Sequence, residues 1–138
     1  MSDLVRMSMS IEEELYEQLE KLVAVSGYGN RSEYIRDLIR NAIVEAEWET
    51  NSEVLGTITL IYDHHQRRLS ERLTELQHQH HEAVLASTHV HLDRHMCAEV
   101  IIVRGAAGDI RRLADELRQQ KGVLHAELSG GSTGHMLA

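Results

Sequence analysis

Three potential metal ligands lie within nine residues of this sequence: His89, His91 and Cys97. On a β-strand alternate side chains share a face, so the two imidazoles would project together from backbone positions about 6.5 to 7 Å apart. A turn from Asp93 to Met96 would bring Cys97 alongside them. Imidazoles and a thiolate suit zinc, nickel or copper. The spacing therefore predicts a metal site; the alternative is two surface histidines beside a small buried cysteine.

The apolar residues around these histidines set the phase of the predicted strand. Val84, Ala86, Val90 and Leu92 all share one phase, opposite to that of the imidazoles. Such alternation is typical of a strand with one buried face. We therefore expect the apolar side chains to point inward and the imidazoles to point outward.

A fourth ligand is needed, because most closed metal sites have four. In the preceding predicted helix, Leu69, Leu73 and Leu76 mark the buried stripe, and His78 lies about 200° around the axis from Leu76. His78 then faces away from its own domain, which favours its donation to another subunit. Tetrahedral coordination would indicate zinc and planar coordination nickel or copper, and the spacing leaves this choice open.

The elements that must position these ligands alternate in type along the second part of the chain. Hydrophobic periodicity, with Gly122 ending the second helix of this domain, predicts the order strand, helix, two strands, helix and strand. This βαββαβ order is that of the ferredoxin-like fold. The predicted ranges are 53–62, 63–79, the His89 strand, 97–104, 109–121 and 123–128, followed by a loose tail from about residue 129.

The first fifty residues have a different pattern. Residues 5–10 alternate as a short strand, and Ser10 with Glu13 resembles a capping box that starts a helix running to about residue 25. After a turn at 27–30, Asn30 and Glu33 repeat the cap pattern before a second amphipathic helix. A lone strand cannot satisfy its edge groups, so we expect a second copy of the chain to pair with it.

The polar face of that strand predicts DNA contacts. Arg6, Ser8 and Ser10 alternate with Met7 and Met9, and a ribbon of two such strands can enter the major groove and contact base edges. The start of the second helix offers Arg31 and Ser32 for a phosphate. The alternative is a dimerisation module that does not bind DNA.

Composition limits the partners. Net charge is −8, and acidic residues outnumber basic ones by 11 to 5 in the first 49 positions, which argues against non-specific binding of polyanions. A single cysteine excludes an internal disulfide, and no segment has the apolar length of a signal peptide or membrane span. We expect a cytoplasmic protein without a membrane partner, with domains at 1–48 and 53–138 joined by a linker at 49–52.

Six short motifs are spread along nearly the whole chain: Gly27-Tyr28, Asn30-Arg31-Ser32-Glu33, Ile35-Arg36-Asp37, Gln77-His78, His89-Val90-His91 and Cys97-Ala98-Glu99. Together they resemble the nickel-responsive repressor family, NikR. The resemblance implies a planar Ni(II) site formed by His89, His91, Cys97 and the His78 position of a neighbouring subunit. It also implies a homotetramer, with a core of ferredoxin-like (ACT-type) domains flanked by two ribbon-helix-helix dimers, that binds operator DNA and represses nickel-uptake genes.

The resemblance adds further site residues. Glu33 and Asp37 match positions that bind a second cation in family members, although two carboxylates on one helix face are commonly just solvated. Tyr62, His64 and Glu99 are candidates to orient the ligands through hydrogen bonds. Ser8 and Ser10 stand where the family often carries threonine, which leaves the operator sequence open.

These features predict a regulator and not an enzyme, because four protein ligands leave no open coordination position for water. Nickel bound between subunits would order the helix that carries His78 and favour an arrangement in which two DNA-binding dimers reach two half-sites. A metal-storage or delivery protein is the alternative function. That alternative leaves Arg6, Ser8 and Ser10 without a role.

Overall fold

The computed structural model describes residues 3–138; Met1 and Ser2, which belong to the predicted first domain, lie outside them. Two helices come first in the described residues, followed by four strands and two further helices in the order βαββαβ. The predicted α+β fold class is thereby confirmed. The elements are α1 Glu13–Ser26, α2 Arg31–Glu49, β1 Glu53–Asp63, α3 Leu69–Gln79, β2 Val84–His91, β3 Met96–Ala106, α4 Ala107–Arg118 and β4 Val123–Gly130.

The chain forms two compact units. The first comprises the part up to Ile43 together with Gly134–Ala138, and the second comprises Val44–Thr133. Helix α2 contributes residues to both units, because the division between Ile43 and Val44 falls inside this helix. No helix of the described residues is long and apolar enough to cross a membrane.

At the start of the first unit, the predicted strand, which needs a second chain, stays a prediction, whereas the predicted helix cap is wrong. Residues 3–12 contain no hydrogen-bonded strand, since a strand needs a partner and the described residues of one chain supply none. The Ser10–Glu13 capping box is wrong: Glu12 occupies the N-cap position of α1 and makes no side-chain cap. The predicted turn is correct, with Gly27 in the left-handed conformation at φ 82°.

The cap of the second helix is confirmed. Asn30 Oδ1 accepts a hydrogen bond of 2.9 Å from the backbone amide of Glu33. A side-chain oxygen in this position satisfies one of the amides that the first helical turn leaves without a partner. The local signal at Asn30 was therefore sufficient to locate the start of α2.

The second unit is a four-stranded antiparallel sheet in the order β2-β3-β1-β4. One face of the central strands packs against α3 and α4, and their apolar side chains make one core with Ile58, Leu60 and Ile101. Helix α3 begins at Leu69 instead of residue 63, because Arg68 adopts a left-handed conformation at φ 63°. The sheet leaves β2 at an edge, and this edge carries the histidines.

The first part of the tail predicted to be loose from residue 129 is instead bound to the second unit, which extends to Thr133. Strand β4 continues to Gly130, and the amide of Gly131 donates to Leu55 O at 2.7 Å. The carbonyl of Gly131 accepts a hydrogen bond of 2.9 Å from the indole of Trp48. Composition alone could not indicate that this segment is ordered, because its small residues are needed for close packing against Trp48. A Cβ on Gly130 would lie 2.8 Å from Trp48 Nε1.

Trp48 should be the residue of α2 on which the second unit depends most. It is the buried residue of that helix, and its indole also lies under the guanidinium of Arg111. Trp48→Ala should lower the free energy of unfolding by about 3 to 5 kcal/mol, as large-to-small core substitutions do. Urea denaturation of the metal-free protein, followed by circular dichroism, measures this loss.

The control is Trp48→Phe, which keeps an aromatic ring and removes the hydrogen bond to Gly131. The free energy of unfolding should fall less in this variant, by about 1 kcal/mol for the lost hydrogen bond plus any cost of repacking. An unchanged urea midpoint for Trp48→Ala would contradict the assignment of Trp48 to the core.

Candidate metal centre

Strand pairing brings the three predicted donors together. Cys97 on β3 lies opposite His91 on β2 and opposite Tyr62 on β1, while His89 lies opposite Glu99. Directly opposed residues of antiparallel strands project from the same face. The hairpin between β2 and β3 therefore places both imidazoles and the thiol on one face at one end of the sheet.

That face is not the one expected from the sequence. The partners of the histidines, Cys97 and Glu99, belong to the buried face of β3, so the imidazoles point to the helix-bearing side of the sheet. Val90 lies on the other side and is 43% exposed. The predicted phase is wrong because the pairing of β2 with β3 shifts between Val84 and Ala86. Val84 therefore lies on one face of the sheet, and the later apolar residues of β2 lie on the other.

The distances fit a metal site. Ligand atoms of His89, His91 and Cys97 all lie within 4.8 Å of one another. Cys97 Sγ is 3.4 Å from Nδ1 of His91. Neighbouring sulfur and nitrogen ligands of one ion, at bond lengths of about 2.3 and 2.1 Å, are about 3.1 to 3.6 Å apart. The three donors thus need little movement to bind a common cation.

Tyr62 orients one of the imidazoles. Its hydroxyl lies 3.1 Å from Nδ1 of His89. Burial, followed by the nearby Glu99 and Cys97, raises the pKa of Tyr62 to about 12, so the phenol keeps its proton at neutral pH. If His89 held a cation through Nε2, its Nδ1 would carry the ring proton and would donate a hydrogen bond to the phenolic oxygen.

Glu99 is held by two residues for which the sequence suggested no role. Gln77 Nε2 donates to Glu99 Oε1 at 3.0 Å, and Ser87 Oγ donates to the same oxygen at 2.7 Å. Gln77 is buried on α3, whereas the sequence pattern had assigned Leu76 to the buried stripe of this helix. The signal that could have identified Gln77 is its position four residues after Leu73, on the buried stripe.

The thiol is protonated before metal binds. Burial, followed by the carboxylates of Asp63 and Asp93, raises the pKa of Cys97 above its ordinary value. The thiolate is the form that binds a metal ion, so binding must displace this proton. We therefore expect the affinity for a cation bound here to fall as the pH falls.

The remaining predicted residues of this domain lie in two places. The ring of His64 packs edge-on against His91, with centroids 5.6 Å apart, next to the three donors. His78 is exposed on α3 and does not belong to the cluster of donors in its own chain. The outward orientation inferred from the leucine phase is therefore correct.

The predicted DNA and second-cation residues lie in the first unit. Arg6, Ser8 and Ser10 are exposed, as are Arg31 and Ser32. Arg31 donates to Tyr16 and pairs with Glu20 at 3.4 Å, contacts that the sequence did not indicate.

The two predicted carboxylates have partners of their own. Glu33 forms an ion pair with Arg36. Asp37 is hydrogen-bonded to Tyr28, and this bond is the main reason that the pKa of Tyr28 is raised. A cation bound by Glu33 and Asp37 would have to compete with these contacts, so the second cation stays a prediction.

Two family models match this chain. The NikR C-terminal nickel-binding domain matches residues 55–130, and the ribbon-helix-helix proteins of the CopG family match residues 5–46. Among its relatives are nickel-responsive regulators of Geobacter sulfurreducens, 51% identical, and of Geotalea uraniireducens, 49% identical. Each alignment covers 99% of both chains.

Solved structures resemble the second unit in fold. An uncharacterized protein of Thermotoga maritima aligns with a TM-score of 0.52 at 16% identity, covering 57% of this chain and 98% of that one. The ACT domain of a GTP pyrophosphokinase of Chlorobium tepidum aligns with a TM-score of 0.50 at 15% identity, covering 56% and 100%. At these identities the likeness concerns the fold alone, which is of the predicted ACT type.

Removal of the Tyr62 hydroxyl should weaken metal binding. Tyr62→Phe keeps the buried ring and deletes the partner of His89 Nδ1, so the imidazole loses its fixed orientation. Loss of such a supporting hydrogen bond costs about 10- to 100-fold in metal affinity. Competition for Ni(II) with a chelator of known affinity measures the change.

Tyr34→Phe is the matched control, because Tyr34 lies in the first unit and contacts Tyr28 instead of any metal donor. Its nickel affinity should equal that of the unmodified protein. Equal affinities for all three proteins would refute the role given to Tyr62.

Proposed function

Because the chain belongs to the family of nickel-responsive regulators, we propose that it represses transcription by binding operator DNA when Ni(II) is bound. The nickel ligands are His89, His91 and Cys97 of one chain and the partner subunit's His78. The observation that carries this proposal is the convergence of three donors at one end of the sheet. The family is regulatory and not enzymatic, and nickel is its metal.

A partner's imidazole is the simplest fourth ligand. His89 and His91 are exposed although Cys97 beside them is buried, so the donors remain accessible from outside the chain. His78 is exposed on α3 and has no donor of its own chain grouped with it among the described residues. Two incomplete surfaces of this kind complement each other when subunits associate.

The first unit supports a dimer. Its described part contains no buried residue, and apolar side chains line an open groove along α1 and α2. Leu15, Leu22 and Leu38 are about half exposed, and Met7 and Met9 more so. Covering this groove with a second copy would bury the apolar face and pair the two strands that a ribbon-helix-helix dimer requires.

DNA recognition would then come from the polar side of the paired strands. Arg6 can donate two hydrogen bonds to guanine, and Ser8 and Ser10 can contact either base pair type. Arg31 and Ser32 at the start of α2 would approach a phosphate, where helix amides and a guanidinium both favour negative charge. The net charge of −8 means that affinity depends on these few contacts.

Nickel would act by favouring one assembly. We expect a homotetramer of two ribbon-helix-helix dimers, located in the cytoplasm with the chromosome. Metal bound across subunits stabilises the arrangement in which both dimers reach adjacent half-sites. Binding of the second dimer is then intramolecular, which raises overall affinity without a new base contact.

A subunit-mixing experiment tests the shared site. His78→Ala and Cys97→Ala should each abolish the nickel–thiolate absorption and nickel-dependent operator binding while leaving an oligomer. Mixed oligomers of the two variants should regain absorption, because Cys97→Ala chains still supply His78 and His78→Ala chains still supply the other three donors. Absorption spectra of chains unfolded and refolded together provide the measurement.

The control mixture combines His89→Ala with Cys97→Ala. Both substitutions remove a ligand from the same group of three, which one chain has to supply complete. No complete site can form in that mixture, and no absorption should return. Recovery there, or lack of recovery in the first mixture with hetero-oligomers present, would exclude a site shared through His78.

Arg6→Ala tests operator binding separately from metal binding. Loss of a bidentate contact in each strand of the ribbon should weaken binding by about 1 to 3 kcal/mol per contact, while nickel affinity is unchanged. A gel-shift titration on duplexes that the nickel-loaded protein selects from a random pool measures the effect.

Arg67→Ala removes the same charge from an exposed position of the second unit and should leave the gel shift unaltered. If the nickel-loaded protein selects no duplex at all, the proposal fails in favour of metal storage or delivery.

A further inference from the structure

A second group of metal-binding side chains lies beside the first. Ligand atoms of Asp63, His65 and His95 are all within 4.8 Å of one another, and none of these residues belongs to the Cys97 cluster. Asp63 ends β1, His65 follows it, and His95 precedes β3. We propose that Asp63, His65 and His95 bind a second divalent transition-metal ion in each chain.

The backbone around these residues is fixed by hydrogen bonds. The amide of His65 donates to Asp63 Oδ1 at 2.9 Å, and the amide of His95 donates to Asp93 Oδ1 at 2.8 Å. The amide of His64 donates to the carbonyl of His95 at 2.9 Å, which joins the two chain segments beyond the ends of the strands. The three donors therefore start from anchored positions.

Hydrogen bonding fixes one imidazole in the form that binds metals. His65 Nε2 lies 3.0 Å from the carbonyl oxygen of Arg94. A carbonyl only accepts, so Nε2 carries the proton and neutral His65 offers the lone pair of Nδ1. Metal-binding histidines commonly donate their other ring proton to a backbone carbonyl in this way.

The donor set determines which cations fit. Two imidazoles and a carboxylate suit Ni(II), Zn(II) or Co(II), and the carboxylate balances part of the ionic charge. Adjacent donors bound to one ion at about 2.1 Å lie about 3.0 to 3.6 Å apart, so ligand atoms that lie within 4.8 Å of one another have to close by roughly 1 to 2 Å at most, which side-chain rotation supplies. Without a thiolate, and with both histidines exposed, this site should be weaker than the Cys97 site.

His64 separates the two groups. Its ring centroid is 3.9 Å from that of His65 and 5.6 Å from that of His91. The proposed sites are therefore adjacent yet share no donor. Each can be removed by substitutions that leave the donors of the other in place, which makes the proposal testable alongside the function above.

Metal counting by equilibrium dialysis against nickel chloride provides the test. The full-length protein should bind about two ions per chain at saturation, and His65→Ala with His95→Ala should bind about one. That double variant should keep the nickel–thiolate absorption. Cys97→Ala should lose the absorption and still bind about one weaker ion per chain.

His125→Ala is the matched control, since this exposed histidine of β4 belongs to neither group. It should bind as many ions as the unmodified protein. A maximum of one ion in the unmodified protein, or a second ion retained in the double variant, would overturn the proposal. Failure of the Cys97 site would be seen separately, as absent absorption.

Discussion

The pairing of β3 with both of its neighbours is the constraint on which the metal centre depends. Cys97 lies opposite His91 on one side and Tyr62 on the other, and each pairing is fixed by the ladder of the same sheet. A slip of one residue in either ladder would turn the affected side chains to the opposite face. Core packing of Ile58 and Ile101 opposes such a slip, because their burial requires the same register.

Local sequence signals located several features that short-range chemistry decides, although the Ser10–Glu13 cap was wrong. The Asn30 cap, the turn at Gly27 and the βαββαβ order of the second unit followed from the pattern of the residues themselves. The convergence of His89, His91 and Cys97 also followed, because a hairpin brings residues of this spacing together. The outward orientation of His78 followed from the period of its helix.

Features that depend on distant residues could not be predicted in this way. The shift between Val84 and Ala86 reverses the face of the histidines, and only pairing with β3 determines it. The ordered conformation at the start of the tail depends on a hydrogen bond from Trp48, which lies more than eighty residues earlier in the chain. The hydrogen bond of Gln77 could not be predicted either, because its acceptor, Glu99, lies on another element.

The proposed sensor requires a difference in metal affinity between two assemblies, because a ligand shifts an equilibrium only by its differential affinity. One chain supplies three donors in either arrangement, so the partner subunit's His78 is the contact that distinguishes them. If this imidazole tightens nickel binding 100-fold, it contributes about 2.8 kcal/mol to the assembled form. By linkage, if operator DNA favours the same assembled form, it tightens nickel binding by the factor by which nickel tightens DNA binding, so metal and operator reinforce each other through the same subunit contact.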